Sequence, residues 1–304
     1  MTTPDFPLPS PITLGTVQIG MAYGRVVKTV PPERETRREM LDMAIGRSVN
    51  CLDTAAAYGE AEATIGDWLR TLEPAALRPT IVTKLAALQD PDAPDCPAAV
   101  RRRIQDSQAR LGLGRIDGCL VHRPGDMLVP GVAETLRALV DEGSVGAFGV
   151  SVYDASELEH ALTVEGVTLA QVPHSLFDRR IAQSGLLAEC EARGITVFAR
   201  SVFLQGVAFL KPDRLPAGLA ALAPALASLN MLADRTGLPI AALCLGAALA
   251  EPGVSSVIIG ASNPAELAAN LEAGQTCLNP DLLAETYRIA AGLNEAALDP
   301  RRWP

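Results

Sequence analysis

Histidines and closely spaced cysteines are scarce in this chain. Its 304 residues include three histidines and six cysteines, and no two cysteines form a Cys-x-x-Cys pair. Structural zinc sites are built from clustered cysteine and histidine ligands, so we expect no metal site. Several cysteines stand in apolar contexts, which predicts reduced, buried side chains in a cytoplasmic protein.

An excess of positive charge is also missing. The formal net charge is -9 at pH 7 and the isoelectric point is about 4.9. A protein that binds nucleic acid or an anionic membrane needs a basic surface to neutralise phosphates. The one dense basic run, 101–103, falls in a predicted helix and is interpreted as a solvated face. We therefore expect neither a nucleic-acid partner nor a membrane partner.

Long hydrophobic runs and flexible linkers are absent from the sequence. The most apolar stretch, PIAALCLGAALAEPG at 239–253, is bounded by prolines and is too short for a membrane span, which needs about 20 residues. A content of 48% hydrophobic and 20% charged residues permits a sizeable core. No stretch rich in glycine, serine and proline divides the chain, so we predict one domain covering 1–304.

Predicted strands and helices alternate along the whole sequence. Amphipathic helical patterns separate eight short, β-rich apolar runs. Eight β–α units in a chain of this length predict an α/β fold, the (β/α)₈ or TIM barrel. Extra helices are expected late in the chain, because 203–254 holds an insert and two helical stretches. The eight runs are 12–20, 50–55, 80–85, 117–123, 147–152, 169–175, 196–202 and 255–261.

An open, doubly wound sheet is the alternative fold. Its dinucleotide sites carry a Gly-x-Gly-x-x-Gly pattern that opens a helix directly after the first strand. No such pattern follows the first predicted strand, and GTVQIG at 15–20 is not expected to open into a helix. The barrel is therefore favoured.

Ionisable residues stand at the ends of three consecutive predicted strands. They are Asp53, Lys84 and His122, and Tyr58 follows Asp53 in the next loop. The carboxyl ends of barrel strands form the active-site face, so these side chains should converge. Taken singly, each residue type more often has a structural role at such a position. An Asp usually caps a turn or helix, a Lys usually extends into solvent, a His is usually a hydrogen-bonded structural residue, and a Tyr usually packs on the surface. Together, in this order, they indicate an active site.

The four side chains suit protonation of a carbonyl oxygen. A phenol has an ordinary pKa of about 10 and is a poor acid at neutral pH. We expect Asp53 to keep Lys84 charged, and the ammonium of Lys84 to lower the pKa of Tyr58. A neutral His122 would donate a hydrogen bond to the substrate carbonyl. Such a site also needs a hydride donor.

These residues resemble the catalytic tetrad of the aldo-keto reductases. The family's Asp, Tyr, Lys and His match Asp53 and Tyr58 in LDTAAAYG, Lys84 in VTKL and His122 in LVHRP. The resemblance covers nearly the whole chain, and it looks closest to bacterial members that act on small polar or sugar-derived carbonyls. It implies NAD(P)H-dependent interconversion of an aldehyde or ketone and its alcohol, with tyrosine as general acid and base and no metal. A monomer or small homo-oligomer that takes a small-molecule substrate is expected.

Further segments resemble the cofactor-binding parts of the family. GVSV carries the family's serine, with Val152 in place of the usual Asn, and QVPHS places a glutamine near the nicotinamide carboxamide. ARSVFLQG resembles the phosphate-binding segment, and IIGASNPAELAANL resembles the final cofactor loop. The implied cofactor residues are Gly15, Thr16, Ser151, Gln171, Arg200, Ser201, Phe203, Gln205, Gly260, Ser262, Glu266 and Asn270. The candidate substrate residues are Met21, Tyr23 and His174, with Trp68 and Phe177 as further candidates at the mouth.

Two positions depart from the family pattern. Arg200 stands where many members stack an aromatic ring on the nicotinamide, although a guanidinium plane can also stack on a ring. Glu266 stands about where NADPH-preferring members place Lys or Arg, and 258–275 contains neither. A carboxylate there would repel a 2′-phosphate and accept a hydrogen bond from a ribose hydroxyl. It could equally be a first-turn acid favoured by the helix dipole. NADH use or dual specificity is the prediction.

Two other functions remain open from the sequence. A lysine at a barrel strand end beside a tyrosine and an acid also describes a Schiff-base aldolase acting through Lys84. That function leaves the cofactor-like segments 196–206 and 258–270 unexplained. A catalytically silent nucleotide-sensing partner protein is the other alternative, but nothing in pure binding calls for all four tetrad residues.

Overall fold

Eight parallel strands close into a barrel in the computed structural model, which describes residues 6–73, 78–88, 96–293 and 295–303. The strands pair in sequence order, and the eighth pairs with the first. This arrangement confirms the predicted (β/α)₈ barrel and excludes the open sheet. The strands are β1 (Ile12–Gly15), β2 (Cys51–Asp53), β3 (Thr80–Leu85), β4 (Ile116–Val121), β5 (Val145–Ser151), β6 (Val167–Pro173), β7 (Thr196–Arg200) and β8 (Ser256–Ile259).

Helices lie between the strands and after the last one. The region 203–254 holds three 3₁₀ turns (Leu204–Phe209, Pro212–Arg214 and Ala217–Leu222) followed by two α-helices, as predicted. Two more 3₁₀ turns are Pro124–Leu128 and Pro300–Arg302. The α-helices are α1 (Val17–Gly20), α2 (Arg34–Gly46), α3 (Ala61–Leu69), α4 (Cys96–Leu111), α5 (Val132–Asp141), α6 (Ala155–Leu162), α7 (Arg180–Gln183), α8 (Leu186–Ala192), α9 (Ala223–Thr236), α10 (Ile240–Leu249), α11 (Pro264–Ala273), α12 (Pro280–Ile289) and α13 (Glu295–Leu298).

The first predicted strand was too long. Only Ile12–Gly15 is strand, and the chain then turns into the single helical turn α1. The expectation that GTVQIG does not open into a helix is therefore wrong. Its alternating apolar and polar residues fit a strand as well as a helical turn. Packing decides, because the carbonyl of Gly20 accepts a hydrogen bond from Glu60 in the loop after β2.

The alternation of side chains along each strand explains how the barrel positions the candidate site residues. Successive side chains of a strand point to opposite faces, so residues two apart both face the barrel interior. Phe6 closes the amino-terminal end of the barrel, where its ring meets Phe198 edge to face at 6.3 Å between centroids. An apolar interior layer is formed by Cys51, Val82, Leu120, Ala147, Leu169 and Phe198. Two residues further along five of these strands stand Asp53, Lys84, His122, Gln171 and Arg200.

One helical stretch of the described chain, Ala217–Thr236, is long and apolar enough to cross a membrane by length and composition. Core helices pass the same test. Leu222, Leu226 and Leu229 of this stretch are fully buried within the fold, which identifies its apolar face as a packing surface.

The cysteines follow the sequence prediction with one exception. All six are free thiols, and five of them are buried. Cys277 is exposed, so the prediction of burial is wrong at this position. Cys277 lies in the short connection between α11 and α12, where no further element covers it.

Candidate active site

A cavity of about 450 Å³ opens at the carboxyl ends of the strands. Most of the residues that the sequence assigned to catalysis, cofactor or substrate binding converge on it. Those that line it are Gly15, Tyr23, Asp53, Tyr58, His122, Ser151, Gln171, Arg200, Ser201, Phe203, Gln205, Gly260 and Glu266. The predicted meeting of strand ends at one mouth is therefore present in the fold.

Asp53 and Lys84 form a buried ion pair at the floor of the cavity, with Asp53 in its lining. The ammonium of Lys84 donates to Asp53 Oδ1 at 2.6 Å and to the carbonyl of Thr54 at 3.1 Å. Gln171 donates to the same Asp53 oxygen at 2.7 Å and accepts from Ser151 at 3.1 Å. Burial alone would lower the pKa of Lys84, but Asp53 and Tyr58 raise it above its ordinary value. Lys84 is therefore charged and held in place.

Two glycines position the loop that carries Tyr58. A Cβ atom on Gly20 would lie 2.0 Å from the carbonyl oxygen of Tyr58 and 2.5 Å from the amide nitrogen of Ala61. Gly59 has a φ of +55°, in the left-handed region that favours glycine, and it packs on Gly20 in turn. The backbone of α1 thus lies directly against the Tyr58 loop.

The phenol of Tyr58 lies over the ion pair and beside His122. Lys84 Nζ is 4.7 Å from the centroid of the Tyr58 ring. The tyrosine and histidine rings meet edge to face, with centroids 5.8 Å apart. Burial raises the pKa of Tyr58 above its ordinary value and outweighs the opposing effect of Lys84. The expectation of a lowered phenol pKa is therefore wrong, because desolvation of the phenolate exceeds the attraction of an ammonium that Asp53 already neutralises.

His122 is neutral at physiological pH. Burial, together with the charges of Lys84 and Arg200, lowers its pKa to about 4. A neutral imidazole can donate one hydrogen bond. His122 follows the last residue of β4 and lines the cavity with Tyr58, so one carbonyl oxygen can meet both side chains.

The segment after β7 is strained where it lines the cavity. Ser201, Leu204 and Gln205 have φ values of 64°, 46° and 53°, and Gly206 has 87°. Non-glycine residues in this region cost energy and cluster at functional sites. Consecutive turns of this kind present backbone N–H groups that suit anions. The segment fits the phosphate-binding role implied by the resemblance.

Glu266 reaches the cavity from the first turn of α11. Its Oε2 accepts hydrogen bonds from the amide and hydroxyl of Ser262, at 2.8 and 2.7 Å. Asn263 caps the same helix by accepting from the Glu266 amide at 2.8 Å. Glu266 therefore occupies both donors of Ser262, and it is also the acid in the first turn of α11.

Six predicted site residues lie outside the cavity lining. The hydroxyl of Thr16 donates to the carbonyl of Asp53 at 3.0 Å, which fixes the end of β2. His174 is buried 3.6 Å from Glu251, and neither ring nitrogen has a hydrogen-bond partner among the described residues. The others are Lys84 beneath the floor, Ser262 hydrogen-bonded to Glu266, the buried Asn270 in α11 and the exposed Met21.

The two further mouth candidates are wrong. Trp68 lies on α3, where its indole donates to Asp42 at 2.7 Å, and Phe177 is buried in the hydrophobic core outside the cavity lining. Their aromatic side chains were the only basis for either candidate. Such a residue packs into the core as readily as it faces a mouth.

Sequence reasoning missed several residues that line the cavity. Tyr153 follows the GVSV segment and lines the cavity. The guanidinium carbons of Arg200 and Arg301 lie over its ring, at 4.5 and 4.1 Å from the ring centroid. Its position just after β5 could have marked it. Arg25 donates to the carbonyl of Trp303 at 3.2 Å, so the segment around Trp303 folds over the mouth. No local pattern indicates that contact.

Comparison with known proteins agrees with this geometry. The model of the aldo/keto reductase family matches residues 11–290. The chain belongs to the aldo/keto reductase family. Its family and fold support NAD(P)H-dependent carbonyl oxidoreduction.

Individual relatives are distant. The chain is 29% identical to a 6-dehydroglucose reductase of Novosphingobium aromaticivorans, over 77% of this chain and 79% of the relative. It is 30% identical to an uncharacterised oxidoreductase of Mycobacterium tuberculosis, over 87% and 84%. The structure of a glycerol dehydrogenase from Gluconobacter oxydans shares the fold, with a TM-score of 0.75, 21% identity and coverage of 97% and 99%.

Proposed function

We propose that this aldo/keto reductase interconverts a small polar aldehyde or ketone and its alcohol, with Tyr58 as the general acid in reduction. The observation that carries the proposal is the pairing of Tyr58 and His122 at the cavity, above the Lys84–Asp53 ion pair. A phenol and a neutral imidazole beside one cavity can both hydrogen-bond to a single carbonyl oxygen.

Each residue of the tetrad has a distinct task in this proposal. Tyr58 gives its proton to the carbonyl oxygen, and the neutral His122 orients that oxygen by a hydrogen bond. The charge of Lys84 stabilises the phenolate that remains, and Asp53 holds Lys84 through the 2.6 Å contact. When bound, the nicotinamide cofactor supplies the hydride for the carbonyl carbon.

NADH is the proposed cofactor, or NADH and NADPH alike. Glu266 places a carboxylate at the cavity, and 258–275 has no Lys or Arg to pair with a 2′-phosphate. A carboxylate repels that phosphate and accepts hydrogen bonds from ribose hydroxyls. Five buried free thiols support the further proposal of a cytoplasmic protein.

The arrangement of Lys84 disfavours the aldolase alternative. A Schiff base requires a neutral amine as nucleophile. The Lys84 amine is fully buried, is ion-paired with Asp53 and has a raised pKa. It is also separated from the cavity by the residues that form its floor.

A paired titration tests the cofactor proposal. Purified wild-type protein is titrated with NADH and with NADPH, following quenching of intrinsic fluorescence. NADH should bind at least as tightly as NADPH, and Glu266→Gln should improve NADPH binding relative to NADH. The rate of reduction of a panel of small hydroxylated aldehydes and ketones is then measured with the preferred cofactor. Binding of neither reduced cofactor would sink the proposed function, while tighter NADPH binding by the wild type would overturn only the role of Glu266.

A further inference from the structure

Arg200 is a fixed cation without a matching anion. Its guanidinium donates to the carbonyl of Val152 at 2.8 Å and to the hydroxyl of Ser201 at 3.2 Å, and it stacks on Tyr153. Neither hydrogen-bond partner carries a charge, and no carboxylate of the described residues forms an ion pair with Arg200. Three contacts hold the side chain, so its positive charge has a set position.

The neighbouring cations differ from Arg200 in this respect. Lys84 is neutralised by Asp53 at 2.6 Å. Arg301 lies over the same Tyr153 ring, but Asp299 pairs with it at 2.9 Å and Glu157 at 3.4 Å. Arg200 is therefore an uncompensated positive charge in the wall next to the tetrad.

This charge lies close to the reacting centre. Arg200 ends β7, lines the cavity together with Tyr58 and His122, and contributes with burial and Lys84 to the lowered pKa of His122. Hydride transfer requires the donor ring within about 3.5 Å of a carbonyl carbon that Tyr58 and His122 hold. The nicotinamide ring must then lie close enough to Arg200 for a charge on the ring to interact with the guanidinium.

We propose that Arg200 selects the reduced cofactor over the oxidised cofactor, so that NADH is loaded into the site in preference to NAD⁺. This inference rests on the proposed function. The nicotinamide ring is neutral in NADH and carries one positive charge in NAD⁺, while the phosphates are the same in both. An uncompensated guanidinium beside the ring repels only the oxidised form. A ligand shifts an equilibrium only through such differential affinity.

The expected effect is measurable as a ratio of affinities. Two like charges a few ångströms apart in a partly buried site change an equilibrium constant by about tenfold or more. Arg200→Met should therefore lower the ratio of Kd for NAD⁺ to Kd for NADH by about tenfold. Binding of Arg200 to a phosphate would serve both ligands alike, so its removal would cancel in the ratio. Stacking of Arg200 on the ring would differ between the neutral and the charged form, so it is part of the discrimination that the ratio measures.

The experiment measures Kd for NADH and NAD⁺ by calorimetry on the wild type and three variants. Arg200→Lys keeps the charge without the planar group, so it should retain most of the wild-type ratio. Arg301 lies over the same tyrosine ring, but Asp299 already neutralises its charge. The ratio of Kd for NAD⁺ to Kd for NADH in Arg301→Gln should therefore equal that of the wild type.

Two results would overturn the inference. One is an unchanged ratio in Arg200→Met, and the other is an equal fall in Arg200→Met and Arg200→Lys. Either result would leave the proposed function intact as long as NADH binds and carbonyls are reduced. Failure of every variant and the wild type to bind NADH would instead contradict the proposed function itself.

Discussion

Tyr58 shows how burial and charge compete at a single residue. The Lys84 ammonium is close enough to favour the phenolate, yet desolvation is the larger effect and the pKa of Tyr58 rises. For a general acid this direction is useful, because the phenol remains protonated throughout the neutral range. For the reverse reaction it is unfavourable, since the phenolate must act as base.

The pH profile should reflect this state of the phenol. Reduction needs protonated Tyr58 and neutral His122, whose pKa of about 4 lies below the assay range. The rate of reduction should stay level from about pH 6 to 9 and fall only above the ordinary phenol pKa of about 10. Alcohol oxidation should rise with pH over the same range. A bell-shaped reduction profile centred near neutrality would contradict this assignment.

Removal of the phenol gives the matching mutational test. Tyr58→Phe keeps the ring and its packing on His122 but removes the proton donor. The turnover number for reduction should fall by roughly 10² to 10⁴, while Kd for NADH stays within a few-fold of wild type. Full activity in this variant would show that another group donates the proton.

At the scale of elements, the meeting of the strand-end residues was predictable from the sequence, but the contacts between side chains of distant elements were not. Period-two alternation and the carboxyl-end rule were enough to bring Asp53, Lys84 and His122 together. The bond from Gln171 to Asp53 depends on the closure of the barrel across its interior. Likewise, Arg301 reaches Tyr153 only because the end of the chain folds back. No local pattern encodes either contact.

The packing of α1 on the Tyr58 loop provides a test at this scale. Gly20→Ala would force a methyl group to within 2.0 Å of the Tyr58 carbonyl, so the loop must move. We expect a loss of about 1–3 kcal/mol in the free energy of unfolding, together with a lower turnover number, in urea unfolding and steady-state assays. Gly46→Ala is the control, because nothing lies within 4 Å of the added Cβ at the end of α2. If both variants behaved alike, α1 would not position the phenol.

Across the whole molecule, the buried His174 and the half-buried His122 make the free energy of unfolding depend on pH in the acid range. Burial lowers the pKa of His122 and of His174 to about 4, in the second case against the opposing charge of Glu251. The unfolded chain takes up these protons below about pH 6.5, whereas the folded chain resists until about pH 4. Above pH 6.5 both states are neutral and the histidines contribute nothing to the pH dependence.

Stability should therefore decline as the pH falls from about 6.5 to about 4. Each histidine can contribute up to about 3 kcal/mol of this loss. Urea unfolding at several pH values would measure this loss. The free energy of unfolding of His174→Gln should depend less steeply on pH than that of the wild type, because the contribution of His174 is gone. Parallel slopes for the two proteins would show that His174 does not take part.

The contact between Arg25 and the Trp303 carbonyl also bears on how the protein is made. One wall of the cavity comes from the loop after α1, and its cover comes from Pro300 and Arg301, which follow the eighth strand. During synthesis all eight strands leave the ribosome before this cover does. A barrel can therefore close on the nascent chain while its cavity still lacks this cover.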